Sequence, residues 1–142
     1  MTKIWHKPFT VEDLNERGAQ TLCDFLGIRF TTISDNTLTA TMPANARTKQ
    51  PIGIVHGGAN VVLAETIAST AANAVIDIKK YYCVGLEINA NHLRSVRDGL
   101  ITGIARPMHL GRTTQVWQID LFNSDGKPTC TSRMTAAVMS RQ

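Results

Sequence analysis

Within "QPIGIVHGGANVVLAETIAS", Gln50 to Ser69, the residue types able to do chemistry are unusually close together. Gly57 and Gly58 open a helical pattern, and no Ser, Thr, Asp or Asn stands at 55, 56 or 57 to cap its free N–H groups. An uncapped helix start suits a developing oxyanion or a bound anion, because dipole and donors point outward together. Glu65 interrupts the apolar body of that helix, and Ser69 follows at i+4 on the same face. Gln50 and His56 lie just before the glycines, where they can orient a carbonyl or a water. Each residue also has a plainer reading. The glycines let loop and helix pack closely, Glu65 fills the one exposed stripe, Gln50 is solvated and His56 is structural.

Two further clusters are basic. His92 and Arg94 in "NANHLRSVR", and His109 and Arg112 in "PMHLGRT", fall at strand ends or turns, where they can receive phosphates. On residue physics alone, scattered surface arginines remain the default. A metal site has no support: His56 and Glu65 lie on either side of a helix start, and no His-x-x-x-His or paired carboxylates occur. "GIVHGG" lacks the Gly-Lys-Ser/Thr ending of a phosphate-binding loop. Cys23, Cys83 and Cys130 are odd in number and widely spaced, which argues against disulfides or zinc and for thiols in a reducing compartment.

The elements that must position these residues follow from periodicity. "TVEDLNER", from Thr10 to Arg17, is a short capped helix. Gly27 to Met42 alternates around Ser34-Asp35-Asn36 as a β-hairpin. Pro43 to Val55 is a long connection without period. From Gly57 to about Lys80 the pattern is one helix, apolar around nearly its whole circumference and therefore buried. Strands follow over Val84–His92, Leu100–Met108, Thr113–Phe122 and, after an "NSDG" turn, Pro128–Ser140. No strand–helix alternation supports a parallel sheet, so the expected class is α+β, an antiparallel sheet wrapped around one long helix. With 142 residues and no repeat or linker, residues 1–142 form one domain.

Composition excludes several classes. No apolar run is long enough to span a bilayer and the first residues lack a signal-peptide pattern, so a cytoplasmic protein is expected. The net charge of +4 is spread out, without basic–aromatic interleaving, which suits an anionic small molecule better than a nucleic acid.

The stretch from Gln50 to Ser69, together with "VGLEINANHLRSVRDG", "PMHLGRTTQVWQIDLF" and "CTSRMTAAV", resembles the hotdog-fold acyl-CoA thioesterases of the phenylacetate and 4-hydroxybenzoyl-CoA type. Within that family the likeness is to the bacterial hydrolases of 1,4-dihydroxy-2-naphthoyl-CoA, of menaquinone biosynthesis. It covers nearly the whole chain from about Leu26. The resemblance implies the hotdog fold, and dimers with shared active sites that pair into tetramers. It implies catalytic roles for Glu65 as carboxylate, Gly57 as oxyanion-hole N–H, Gln50 and His56 on the carbonyl side, and Ser69 as a hydroxyl that holds water. Glu65 would face the HGG loop of the partner subunit. Coenzyme A contacts are implied at Val84, at Asn91, His92, Leu93 and Arg94, and at Met108, His109, Leu110, Gly111, Arg112 and Thr113. The first 25 residues match the family weakly, and Ile52 stands where many relatives carry an aromatic residue.

The activity this implies is hydrolysis of an aromatic acyl-CoA, with Glu65 as nucleophile or as general base and no cofactor, coenzyme A being part of the substrate. The alternatives are proofreading of acyl groups on a carrier protein and a non-catalytic acyl-CoA-binding oligomer. The hydratase branch of the fold fits less well, because no second acid–base motif accompanies His56.

Overall fold

The computed structural model describes residues 3–142. Nine elements follow one another: α1 (Val11–Arg17), α2 (Leu22–Phe25), β1 (Arg29–Ile33), β2 (Leu38–Pro43), α3 (Gly57–Ala74), β3 (Tyr81–His92), β4 (Leu100–Leu110), β5 (Thr114–Phe122) and β6 (Pro128–Ser140). The strands form one six-stranded sheet in the order β1-β2-β4-β5-β6-β3. All five neighbouring pairs are antiparallel. The sheet curls around α3, which packs on β2, β3, β4, β5 and β6, as in the hotdog fold.

Local chemistry sets the boundaries. Thr10 caps α1 through a reciprocal pair: its hydroxyl accepts from Asp13 N–H and the Asp13 carboxylate accepts from Thr10 N–H. The hairpin turns at Ser34–Thr37, where Ser34 N–H donates to Thr37 carbonyl. The long connection after β2 is ordered by Thr48, which is buried and donates to the Pro43 carbonyl at 2.7 Å. His56 N–H donates to Thr48 carbonyl and Val55 N–H to Val96 carbonyl, each at 2.8 Å. The approach to α3 is therefore fixed from both sides.

Two expectations are corrected. α3 ends at Ala74 rather than near Lys80, because Val75, Ile76 and Asp77 are poor helix formers and Asp77 nucleates its own turn. Its side chain accepts from Lys79 N–H and its carbonyl from Lys80 and Tyr81 N–H. Nor is α3 buried all round. Leu63, Ala64, Ile67, Ala68, Ala71 and Ala72 face the sheet and are fully buried, while Glu65, Thr66, Ser69, Thr70 and Asn73 form a half-buried polar stripe along the flank, where Asn73 Oδ1 accepts from Cys83 N–H of β3 and Ser69 donates to Met134 Sδ of β6.

The core between helix and sheet leaves no slack. A Cβ at Gly103 on β4 would lie 2.7 Å from Ile67 Cδ1 and 2.8 Å from Leu121 Cδ2, both on side chains fixed by packing. We expect Gly103→Ala to lower stability by about 1–3 kcal/mol in urea unfolding. An unchanged midpoint would show that β4 can back away from the helix.

Candidate active site

His56 caps α3. Its Nδ1 accepts from Gly58 N–H at 2.8 Å, so the imidazole does the work of the missing Ser or Asp and holds its proton on Nε2. The expectation of a wholly uncapped first turn is corrected: Gly58 N–H is taken by this ring, and Ala59 and Asn60 N–H both donate to the His56 carbonyl. Gly57 N–H has no partner among the described residues. One backbone donor thus remains at the positive end of an 18-residue helix. Loss of the cap in His56→Ala is expected to cost about 1 kcal/mol, read as a lower urea midpoint; an unshifted midpoint would mean that the ring contributes nothing to the helix end.

Around this donor, Gln50, Gly57, Asn60, His92 and Arg94 line a cleft of about 340 Å³. Gln50 Oε1 accepts from Ile52 N–H at 3.2 Å, which turns the loop back on itself. The His92 ring lies directly over Gly57, where a Cβ would meet Nε2 at 2.9 Å. Only glycine allows that approach. Arg94 donates to the Pro128 carbonyl at 3.0 Å and is otherwise exposed. Asn91 and Leu93 are exposed beside it. Asn60 has no place in the sequence reading, yet it is 5% exposed, its Nδ2 lies 3.4 Å from His92 Nδ1, and its Oδ1 is buried without a hydrogen-bond partner among the described residues. A polar side chain three residues after Gly57 in an otherwise apolar turn is the one signal that marks it.

The remaining residues lie elsewhere on the chain. Glu65 follows Gly57 by eight residues of one helix, about 12 Å along its axis. Its Oε2 comes within 3.3 Å of where a Gly85 side chain would begin, at the bulge between Gly85 and Glu87 of β3. Ser69 is half-buried one turn on, with only Met134 Sδ at 3.6 Å as hydroxyl partner. Val84 is 40% exposed next to Gly85. The β4–β5 turn arrives at the same end of the sheet, since Ala137 on β6 pairs with both Val84 and Thr114, and Val138 N–H donates to Thr113 carbonyl. Met108, His109, Leu110, Arg112 and Thr113 are exposed there, with Gly111 half-buried among them. His92, at the other end of β3, is about 26 Å away by strand length.

The candidate residues of a single chain fall into two halves. Gln50, His56 and Asn91 to Arg94 lie near the free Gly57 donor, while Glu65, Ser69 and Val84 lie farther along α3 and β3, with the turn from Met108 to Thr113 at Val84's end of the sheet. β3, which carries the end of each half, is an edge strand with Val84 and Leu86 exposed. An unpaired apolar edge of this length is a template for another strand.

Two of the three cysteines are poor nucleophiles. Burial pushes the Cys83 thiol up from its ordinary value, and burial with the nearby Asp120 carboxylate does the same to Cys130. Neither is a thiolate at neutral pH. Among the described residues no helix is long and apolar enough to cross a membrane.

The chain belongs to the Thioesterase superfamily, whose profile matches residues 52–130. It is a thioester hydrolase with the hotdog fold. It is 50% identical to the 1,4-dihydroxy-2-naphthoyl-CoA hydrolase of Escherichia coli K12 over 136 residues, covering 96% of this chain and 99% of that one. It is 44% identical to the proofreading thioesterase EntH of Cronobacter turicensis, covering 96% of this chain and 98% of that one. Among solved structures, a glutamine-to-alanine variant of the Pseudomonas aeruginosa thioesterase PA1618 superposes with a TM-score of 0.97 at 50% identity, covering 98% of this chain and all of that one.

Proposed function

We propose that this thioesterase hydrolyses an aromatic acyl-CoA at a site completed by a second copy of the chain. The observation that carries the reading is the division of the site. Gly57 N–H lacks a partner among the described residues and lies beside His92, the last residue of the edge strand β3, while Glu65 lies two helical turns on, against Gly85, seven residues back along that strand. Antiparallel pairing of two β3 strands centred on Ile88 sets Val84 of one against His92 of the other, which brings the Glu65 side of one subunit to the Gly57 side of its partner. A two-fold dimer then holds two equal sites, each with a donor and a carboxylate from different subunits. Two such dimers form the tetramer.

In this site the thioester carbonyl oxygen accepts from Gly57 N–H, where the helix dipole stabilises the negative charge that builds on it. Gln50 fixes the carbonyl side, and His56 keeps the first turn in place through its cap. Glu65 attacks the carbonyl carbon or takes a proton from a water held by Ser69, and coenzyme A departs as the thiolate. These groups act without metal or cofactor. Val84, Asn91 to Arg94 and Met108 to Thr113 bind coenzyme A, with Arg94 and Arg112 meeting its phosphates.

The similarity to the 1,4-dihydroxy-2-naphthoyl-CoA hydrolase of Escherichia coli supports a bicyclic hydroxyaromatic substrate. The similarity to EntH supports a second reading, in which the acyl group is carried by a carrier protein. Thiol release from matched aromatic and aliphatic acyl-CoAs, and from the same acyl groups on a carrier protein, separates the two. Selective turnover of the aromatic coenzyme A esters is expected; turnover on the carrier protein alone would reverse the assignment.

A further inference from the structure

α1, which packs on β1, and the segment before it line a second groove of about 340 Å³ together with residues of the α3 stripe. Phe9, Leu14 and Ile76 give it apolar walls, Ser69 is part of its floor, and Lys7 and Arg17 stand at its rim. The segment is held firmly: His6 N–H donates to the Ala74 carbonyl at 2.9 Å, and Asn15 on α1 exchanges two hydrogen bonds with the Phe30 backbone. Among the described residues neither Lys7 nor Arg17 makes a salt bridge. Two unpaired cations thus flank an apolar slot whose floor hydroxyl lies one helical turn, about 6 Å, beyond Glu65.

We propose that this groove receives the far end of the acyl group and that Arg17, assisted by Lys7, selects acyl groups bearing an acidic oxygen there. The inference rests on the reading of Glu65 as the reacting carboxylate. In this reading the acyl substituent of a thioester beside Glu65 runs along the stripe to Ser69, which lines the groove with Thr70 and Asn73. Its volume lies at the low end of small-molecule sites, roughly 300–1,000 Å³, which fits a rigid aromatic acyl group. Apolar walls take up the ring, and the exposed Arg17 guanidinium at the rim offers a carboxylate or phenolate a charge-assisted, solvent-screened pairing. Arg17 and Lys7 do not touch the reacting atoms. They are specificity residues.

The test compares benzoyl-CoA with 4-carboxybenzoyl-CoA for the wild type, Arg17→Met and Arg17→Lys. The wild type is expected to favour the carboxylated ester, Arg17→Met to lower kcat/KM for it by roughly fivefold through KM, and benzoyl-CoA turnover to stay within twofold. Arg17→Lys should keep most of the preference, which a merely structural role for Arg17 would not require. Equal losses on both esters, or an unchanged preference in Arg17→Met, would overturn the selection by Arg17 and leave the thioesterase reading intact. Wild-type turnover that survives Glu65→Ala undiminished would instead remove the reading on which this inference stands.

Discussion

Glu65→Ala is expected to lose turnover of acyl-CoA by about 10²–10⁴-fold, the range for removal of a positioned acid–base group. KM should change little, because the carboxylate is used at the reacting carbon rather than in holding coenzyme A. The structural cost should be small. Glu65 lies on the half-buried polar stripe of α3, and it makes no salt bridge or hydrogen bond among the described residues whose loss would strand a partner. Alanine also favours helix. The variant should therefore unfold at nearly the wild-type urea concentration while releasing almost no thiol. Steady-state kinetics and an unfolding curve on one preparation check both halves. Turnover within threefold of the wild type would remove Glu65 from the chemistry. Solvent-oxygen labelling in a single turnover then decides its role, since only direct attack leaves label in the enzyme first.

Gly57→Ala is expected to cost about 10²–10³-fold in kcat, comparable to the loss of one oxyanion-hole donor. The backbone N–H remains, but the added Cβ stands 2.9 Å from His92 Nε2 and 3.3 Å from Cε1. Because His92 is exposed, its ring can swing away and the fold survives. What is lost is the approach of ring and substrate to the helix start. Stability should stay within about 1 kcal/mol, since alanine in the first turn is at least as helical as glycine. Circular dichroism and kcat measured together test this; an active Gly57→Ala enzyme would mean that the carbonyl binds elsewhere.

Much of this arrangement was legible in the residues, and its limits have physical causes. The capping pair Thr10–Asp13, the Ser34-Asp35-Asn36 turn and the alternating strands are local signals, and they fall where expected. The end of α3 was not, because Val75 and Ile76 continue an apolar pattern while lowering helix propensity, and periodicity alone reads through them. The His56 cap was missed because histidine is an uncommon capping residue whose service depends on ring orientation. Glu65 was legible as an anomaly, a carboxylate among alanines and isoleucine, while its place in a site shared between subunits came from the family resemblance and not from the residues themselves. Division is a property of sheet order: only when β3 is known to be the edge, with Val84 and His92 eight residues apart along it, do the residues separate into two groups. Asn60 and the groove beneath Arg17 depend on contacts between segments far apart in sequence, which no local pattern carries.

The central claim is that each site draws its oxyanion donor and its carboxylate from different subunits. Co-expression of Glu65→Ala with Gly57→Ala tests it most directly, because each variant alone is nearly inactive and the two defects lie on opposite halves. Random pairing makes half of the dimers mixed, and each mixed dimer holds one site with neither defect, so activity should recover to about one quarter of the wild type. Recovery to that level, absent when the separately purified variants are assayed without exchange, is the predicted result. A co-expressed pair no more active than its parents would contradict the shared site.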